Sequence, residues 1–378
     1  MFRKTVLVNA LSIAFGTAAL TAAVMQPVMA QSNATGSIIG KVAPGSNASI
    51  AIVGADNGVK RTVAPDASGA FRITSLPVGS YKVSLLNGSA VVNTQDVEVR
   101  IGQDSEIALD VQTVNVTSRR RTIDVTASNS GSSFNARELA ALPLAPAVAN
   151  IVQLAGGTTR ADSRYGNNAA SFGGSSASEN AAYINGFPVT SSLYQVGYSG
   201  LPFGSIAEAQ IITGGYGAEF GRSTGGVINI TTKSGTNNWE VGAGFTYAPD
   251  SLRGKAKNIM FQNTGANPKT DGTIYNYKAG DKQTERVYNA FVSGPLIKDK
   301  LFIYLGGEFT KMDRETARLA STSTVNSQTG WLVQKSEVPR YIAKLDWNIT
   351  DNNRLEYTHV SDESKVDDGY YGFDYTTK

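Results

Sequence analysis

From Val338 to Ser361 the chain carries two runs of strictly alternating polarity around a short polar connection, and no other feature narrows its possible folds so far. In the first run Tyr341, Ala343, Leu345, Trp347 and Ile349 fall on one face, and Ile342, Lys344, Asp346, Asn348 and Thr350 on the other. Successive side chains of a strand point to opposite sides, so one face suits lipid and the other suits water. Lys300 to Lys311 repeats the pattern, with Leu301, Ile303, Leu305 and Phe309 opposed to Tyr304, Glu308 and Thr310. Alternation sustained over about ten residues marks a membrane-spanning β-strand. Trp239 to Ala248, Glu285 to Leu296 and Asn353 to Ser361 complete the set.

A soluble sandwich alternates in the same way, so the connections decide. Ile297 to Lys300 and Asp351 to Asn353 are tight, whereas Pro249 to Thr284 and Met312 to Glu337 are long and polar. Short turns on one rim and long loops on the other are the habit of outer-membrane barrels. The pattern predicts that Val360 to Lys378 is a third outer loop. About five antiparallel strands fall short of the roughly 22 that a plugged transporter barrel needs, and open edges are not tolerated in lipid. With Lys378 in place of a terminal aromatic, the expectation is an N-terminal fragment or a prematurely ended reading frame, with residues 239–378 the start of a barrel.

The other end explains how such a chain reaches a membrane beyond the cytoplasm. Arg3 and Lys4, an apolar run from Val6 to Met25, and Val28-Met29-Ala30 form a secretory signal over residues 1–30, with cleavage before Gln31. The alternative, a single spanning helix, is disfavoured because the cleavage signal follows the apolar run directly and no later segment is comparably apolar. Removing Arg3 and Lys4 takes the formal net charge from +3 to +1, so no nucleic acid or other polyanion is implied. Without cysteine, neither disulfides nor thiolate metal sites hold the fold. The 39 glycines and 16 tyrosines, with little helical periodicity, point to a mainly β chain with many turns.

Residues 31–112 contain short β-rich runs between turn residues: SIIGKV, SIAIVG, GAFRIT, SYKVSLL, QDVEVR and SEIALDV. In the sharpest piece Asp66 and Gly69 make a turn, Phe71 and Ile73 alternate inward, Leu76-Pro77 ends the strand, and Gly79 permits the bend before Tyr81 and Val83. This segment resembles the carboxypeptidase regulatory-like domain, a transthyretin-like β-sandwich. The resemblance implies a non-catalytic module, and Phe71, Leu76 and Tyr81 read as its core.

Residues 128–238 open with a short helix, Ala136 to Leu142, and then become rich in Gly, Ser and Asn. Asn185-Gly186 between two apolar runs is a strong hairpin signal. Ile206 to Thr213 alternates as a strand, and Thr213 to Asn237 reads TGGYGAEFGRSTGGVINITTKSGTN. The glycine spacing misses the dinucleotide fingerprint by one position and no phosphate loop occurs. Tyr216-Gly217, Gly225-Gly226 and the strand Val227 to Thr232, with Asn229, ending at Lys233, are similar to the signature of TonB-dependent receptor plugs. With the sandwich ahead of it, the chain resembles the Oar-like branch. Thr213-Gly-Gly-Tyr216 stands where siderophore-type plugs carry a proline-containing turn, which weakens any expectation of siderophore cargo.

That resemblance implies a mixed α+β plug inside the barrel, a periplasmic N-terminal domain and an outer-membrane location. Its partners would be the TonB energy-coupling complex, membrane lipid and a cargo that the sequence does not name. Within the linker, residues 113–127, Thr113, Val114, Asn115, Val116, Thr117 and Ser118 resemble a TonB box, and Thr122 to Ala127 is the alternative. Extended segments of this kind bind by strand addition. Cargo would meet the plug apex, for which Arg164, Tyr165, Phe172, Tyr194 and Tyr198 are candidates; the same side chains also suit packing against the wall. His359 is the lone histidine, so a catalytic triad and a multi-histidine metal site are both excluded. Asp362, Glu363, Asp367 and Asp368 lack the ligand spacing of a calcium loop. The chain is therefore expected to be no enzyme and to need no cofactor or metal. A surface adhesin and a soluble periplasmic binder are the rival readings.

Overall fold

The computed structural model describes residues 34–372 apart from 44–47, 56, 110–129, 143–146, 166–168, 270, 318–329 and 352. The leader and both candidate TonB-box segments, 113–118 and 122–127, lie outside the described residues.

Seven strands build the N-terminal module: β1 (Gly36–Lys41), β2 (Ala48–Gly54), β3 (Lys60–Val63), β4 (Ala70–Leu76), β5 (Gly79–Asn87), β6 (Ala90–Val99) and β7 (Asp104–Ala108). Their sheets are ordered β4-β1-β7 and β3-β2-β5-β6. Only β1 and β7 run parallel. The core between them is the inward row of each strand, including Ile38, Ile50, Ile52, Phe71, Ile73, Tyr81, Val83 and Leu85. Strand β3 escapes the sequence pattern because its text, KRTV, sits at a sheet edge and buries none of its residues. The Asp66 turn is as expected: its carboxylate accepts from the Ser68 and Ala70 amides at 2.8 and 2.9 Å.

Tyr81 fixes the bend from β4 into β5. Its hydroxyl donates to the Pro77 carbonyl at 2.8 Å and accepts from the Asn57 amide at 2.9 Å. Burial pushes its pKa up to about 12, so it remains a donor throughout the working range. Tyr81→Phe strands both partners at a cost of about 1–2 kcal/mol. The expected result is roughly 5- to 30-fold faster hydrogen exchange at the β5 amides, and an unchanged rate would show that the hydroxyl is idle.

The next domain contains β8 (Ser130–Asn135), α1 (Ala136–Ala141), α2 (Val148–Val152), β9 (Thr158–Arg160), β10 (Ala170–Phe172), β11 (Ala181–Ile184), β12 (Phe187–Pro188), β13 (Ile206–Gly214) and β14 (Val227–Thr232). Helix α1 starts at a capping box: Asn135 Oδ1 accepts from the Glu138 amide, and the Glu138 carboxylate accepts in return from the Asn135 amide, each at 2.9 Å. The five-stranded sheet runs β12-β11-β14-β13-β8, with β11 and β14 parallel. Asn185 (φ +49°) and Gly186 (φ +83°) make the two-residue turn between β11 and β12. Strand β14 departs from half-buried alternation, since all six of its residues are buried. Ile228 and Ile230 pack toward the helices and the wall, while Val227 packs beneath the glycine-rich turn with Tyr183, Ile212 and Phe220.

The third part contains β15 (Glu240–Ala248), the small hairpin β16 (Ile259–Met260) and β17 (Ile274–Asn276), then β18 (Lys282–Ile297), β19 (Leu301–Ala317), β20 (Trp331–Thr350), β21 (Asn353–Asp362) and β22 (Lys365–Tyr371). An open antiparallel sheet runs β15-β18-β19-β20-β21, and β22 pairs with the far half of β20. Three expectations are corrected here. Met312 and Glu337 belong to strands rather than to a loop, and part of the expected third loop is β22. Ion pairs across the rungs, Lys282–Glu315, Arg286–Asp313 and Lys311–Glu337 at 2.8–3.2 Å, pair these polar extensions where apolar alternation gives no signal. Finally, the middle of the inward face of β20 does not meet water: Lys344 and Asp346 are each 2% exposed.

Candidate functional site

The site is the seam between the plug sheet and the inward face of the wall. Outward along β20 and β21, Tyr341, Trp347, Ile349, Leu355 and Tyr357 are exposed, and His359 lies beside Tyr341 with ring centroids 5.7 Å apart. Inward, the wall presents hydrogen-bonding groups to the plug backbone. Glu308 on β19 accepts from the Phe203 amide at 3.1 Å, and Asp362 on β21 accepts from the Gly200 amide at 2.6 Å. Arg340 on β20 holds both carboxylates, at 3.4 Å to Glu308 and 2.8 Å to Asp362. The Tyr304 hydroxyl donates to Ser205 at 3.1 Å, and the Asn185 amide donates to Thr358 at 3.0 Å. The plug is thus attached at several heights by directional bonds.

Close approach explains the glycines along this seam. A Cβ at Gly200 would lie 2.6 Å from Arg340 Nε, and one at Gly306 would lie 2.6 Å from Ser205 Oγ. Nearer the short turns, Asp346 is held by Arg354, and Lys344 lies 3.2 Å from Glu356. A buried charge survives only when paired in this way.

Beside the Arg340 triad is a cavity of about 430 Å³. Tyr165, Tyr198, Asn180, Thr190 and Gln195 give it polar edges, and α2 and β11 give it an apolar floor. Burial pushes the Tyr198 hydroxyl up to about 12, so it stays protonated and acts as a neutral donor. Two of the five apex candidates, Tyr165 and Tyr198, therefore share one cavity. Arg164 is exposed; its bond to Asp162 at 3.0 Å holds that carboxyl at about 2, and its guanidinium sits 5.7 Å from the Tyr165 ring. Tyr194 is 75% exposed on the loop after β12. Phe172 is 2% exposed and belongs to the core, because Gly173 and Gly174 take the turn at positive φ and leave its ring pointing inward.

The signature residues form a scaffold. The Tyr216 hydroxyl donates to Ser223 at 3.1 Å and to the Gly225 carbonyl at 3.2 Å. Gly217 begins the turn that returns at Phe220. At Gly225 a Cβ would lie 2.6 Å from Ser175 Oγ, and at Gly226 it would strike Phe172. Asn229, fully buried, donates to Gln210 at 3.4 Å. Lys233 places its ammonium 5.5 Å from the Phe291 ring of the wall, and burial lowers its pKa. No cluster of metal-ligating side chains occurs among the described residues. Glu308, Arg340 and Asp362 escape sequence reading, since a carboxylate on an alternating strand carries no sign of what will cover it.

The carboxypeptidase regulatory-like domain family matches residues 35–114. The TonB-dependent transporter Oar of Myxococcus xanthus is 29% identical over 270 residues, covering 65% of this chain. The chain is a homologue of that transporter. It spans 23% of that relative's length. That relative is a transporter, not an enzyme. Among solved structures, the outer membrane transporter YddB from Escherichia coli aligns at 18% identity and a TM-score of 0.45, covering 64% of this chain and 35% of that one. The siderophore receptor PirA from Acinetobacter baumannii aligns at 21% identity and a TM-score of 0.43, covering 65% and 33% respectively.

Proposed function

We propose that this chain serves as the plug-bearing part of a TonB-dependent transporter of the outer membrane. The observation that carries the reading is a sheet domain with glycine-rich loops, bonded through Asn185, Gly200, Phe203 and Ser205 to the inward face of a β-wall whose outward face is aromatic and aliphatic. Such a wall suits lipid, and such a plug suits a gate. The sandwich touches Asp299 and Asp351, both in the short connections of the wall, which supports a periplasmic position for it. Thr113 to Ser118 then lies between sandwich and plug, where a TonB box would be reached by the energy-coupling complex. Cargo is expected to contact Arg164, Tyr165, Tyr194 and Tyr198 on the plug together with outer loops. Force transmitted along the backbone, with no covalent step, would open the path.

Deleting residues 113–118 from the intact protein is the direct test. The expected result is loss of cargo uptake with outer-membrane insertion and cargo binding retained. If uptake of every candidate cargo persists after the deletion, the transporter reading is wrong and the rival of a passive surface protein stands.

A further inference from the structure

Glu208 stands where three segments meet. It lies on β13 opposite Asn135 of β8 and is 0% exposed. Its Oε1 accepts from the Ser133 hydroxyl on β8. Its Oε2 accepts at 3.0 Å from the amide of Ile101, in the sandwich turn between β6 and β7. Two residues along the same face, Gln210 donates to the Ile101 carbonyl at 3.4 Å. Both faces of one sandwich residue are therefore held by one plug strand, and Ile101 is itself fully buried. Around this point Arg100 pairs with Glu138 at 3.4 Å, and Asn135 donates to Glu98 at 3.3 Å.

A second set of contacts fixes the sandwich to the short connections of the wall. Lys60 lies 3.6 Å from Asp299, Arg61 donates to the Asp351 carbonyl at 3.3 Å, and Asn348 donates to the Asn57 carbonyl at 3.1 Å. The approach is close enough that a Cβ at Gly58 would lie 2.8 Å from the Asp299 Cα.

Residues 110–129 lead directly into β8, which among the described residues pairs with β13 alone. Tension on that stretch would detach the strand rung by rung, from the Ser130–Gly214 pair toward the Asn135–Glu208 pair of its register. When Ser133 leaves, Glu208 loses one of its two hydrogen-bond donors while still covered by the sandwich. A buried carboxylate short of donors is unfavourable, and the relief available is to open the sandwich contact and admit water. Burial already raises the Glu208 pKa against the opposing pull of Ser133 and Ile101. We propose that Glu208 couples the two movements: release of β8 loosens the sandwich from the plug, and the docked sandwich in turn holds β8 in place. Thermodynamic linkage requires the effect to be mutual. The role of this coupling in transport rests on the function proposed above; the coupling itself does not.

Hydrogen exchange on the intact protein tests the coupling. Ser133→Ala touches only the plug arm, yet it is expected to speed exchange at the Ile101 amide by about tenfold. Glu208→Ala is expected to speed exchange at both Ile101 and β8. Glu208→Gln offers a carbonyl to Ile101 and an amide to Ser133, and should remain near the parent rate. If Ser133→Ala affects β8 alone, or Glu208→Ala leaves Ile101 unchanged, the coupling is wrong. The chain has no cysteine, so Lys60→Cys with Asp299→Cys accepts a short cleavable thiol cross-linker at that one place. Cross-linked protein is expected to bind cargo but not import it, with import restored on cleavage. Undiminished import by the cross-linked form would overturn the gating role. If the exchange results hold but the untreated protein imports nothing when energised, the transporter reading fails and the coupling stands.

Discussion

Arg340→Ala is expected to loosen the upper seam between plug and wall, speeding hydrogen exchange at Gly200 and Phe203 by about 30-fold. Arg340 is the one cation that touches both Glu308 and Asp362 among the described residues, and each carboxylate also receives a plug amide. Removing it leaves two anions facing one another, with the Glu308 side chain only 3% exposed. Loss of one partner from a fully buried pair costs about 3–5 kcal/mol. The Arg340 side chain is 28% exposed, so water screens part of the effect and about 2 kcal/mol is the better expectation. Arg340→Lys keeps the charge but cannot bridge both carboxylates with a fork, and should fall between the parent and the alanine variant. Glu308→Gln retains an acceptor for the Phe203 amide and removes the repulsion, so in the Arg340→Ala background it should recover part of the loss. Exchange at Gly200 and Phe203 that is unmoved by Arg340→Ala would mean that apolar packing alone seats the plug.

What the sequence made legible was local chemistry. Asn185-Gly186 and the Asp66 turn each encode a backbone path within a few residues, and the structure follows both. The faces of the wall strands were equally plain, because a period of two does not depend on surroundings. What covers a face is a different question. Lys344 and Asp346 read as water-facing from their strand alone, yet both are buried and paired with Glu356 and Arg354, since polarity alone does not separate a solvated charge from a paired one. Phe172 fails for the converse reason: the glycines and serines after it suggest a surface loop, while the positive φ of Gly173 and Gly174 turns the chain and leaves the ring inside. Glu208 and Glu308 gave no signal because their partners lie about a hundred residues away in the chain.

Gly226 is where that distinction between local and distant causes has its sharpest consequence. Its φ is not in the left-handed region, so backbone freedom does not explain the glycine. Space does: a Cβ there would lie 2.8 Å from Phe172 Cβ and closer still to the ring. The ring has little room to yield, because β10 is held by the Phe172 amide bond to Ser175 and by the Asn180 side chain on the Ala170 carbonyl at 2.8 Å. The Gly226 amide donates to the same Asn180 side chain, and its carbonyl accepts from Ala181. Gly226→Ala must therefore displace β10 or the start of β14, at a cost of about 1–3 kcal/mol for overpacking. Exchange at the Ile228 and Ile230 amides should accelerate by roughly 5- to 150-fold. Phe172→Leu alone should also destabilise, by leaving a gap in the core. Combined with Gly226→Ala it should cost less than the sum of the two, because the new methyl enters the space that the ring vacated. Strict additivity in that cycle would show that Gly226 is required for some reason other than Phe172.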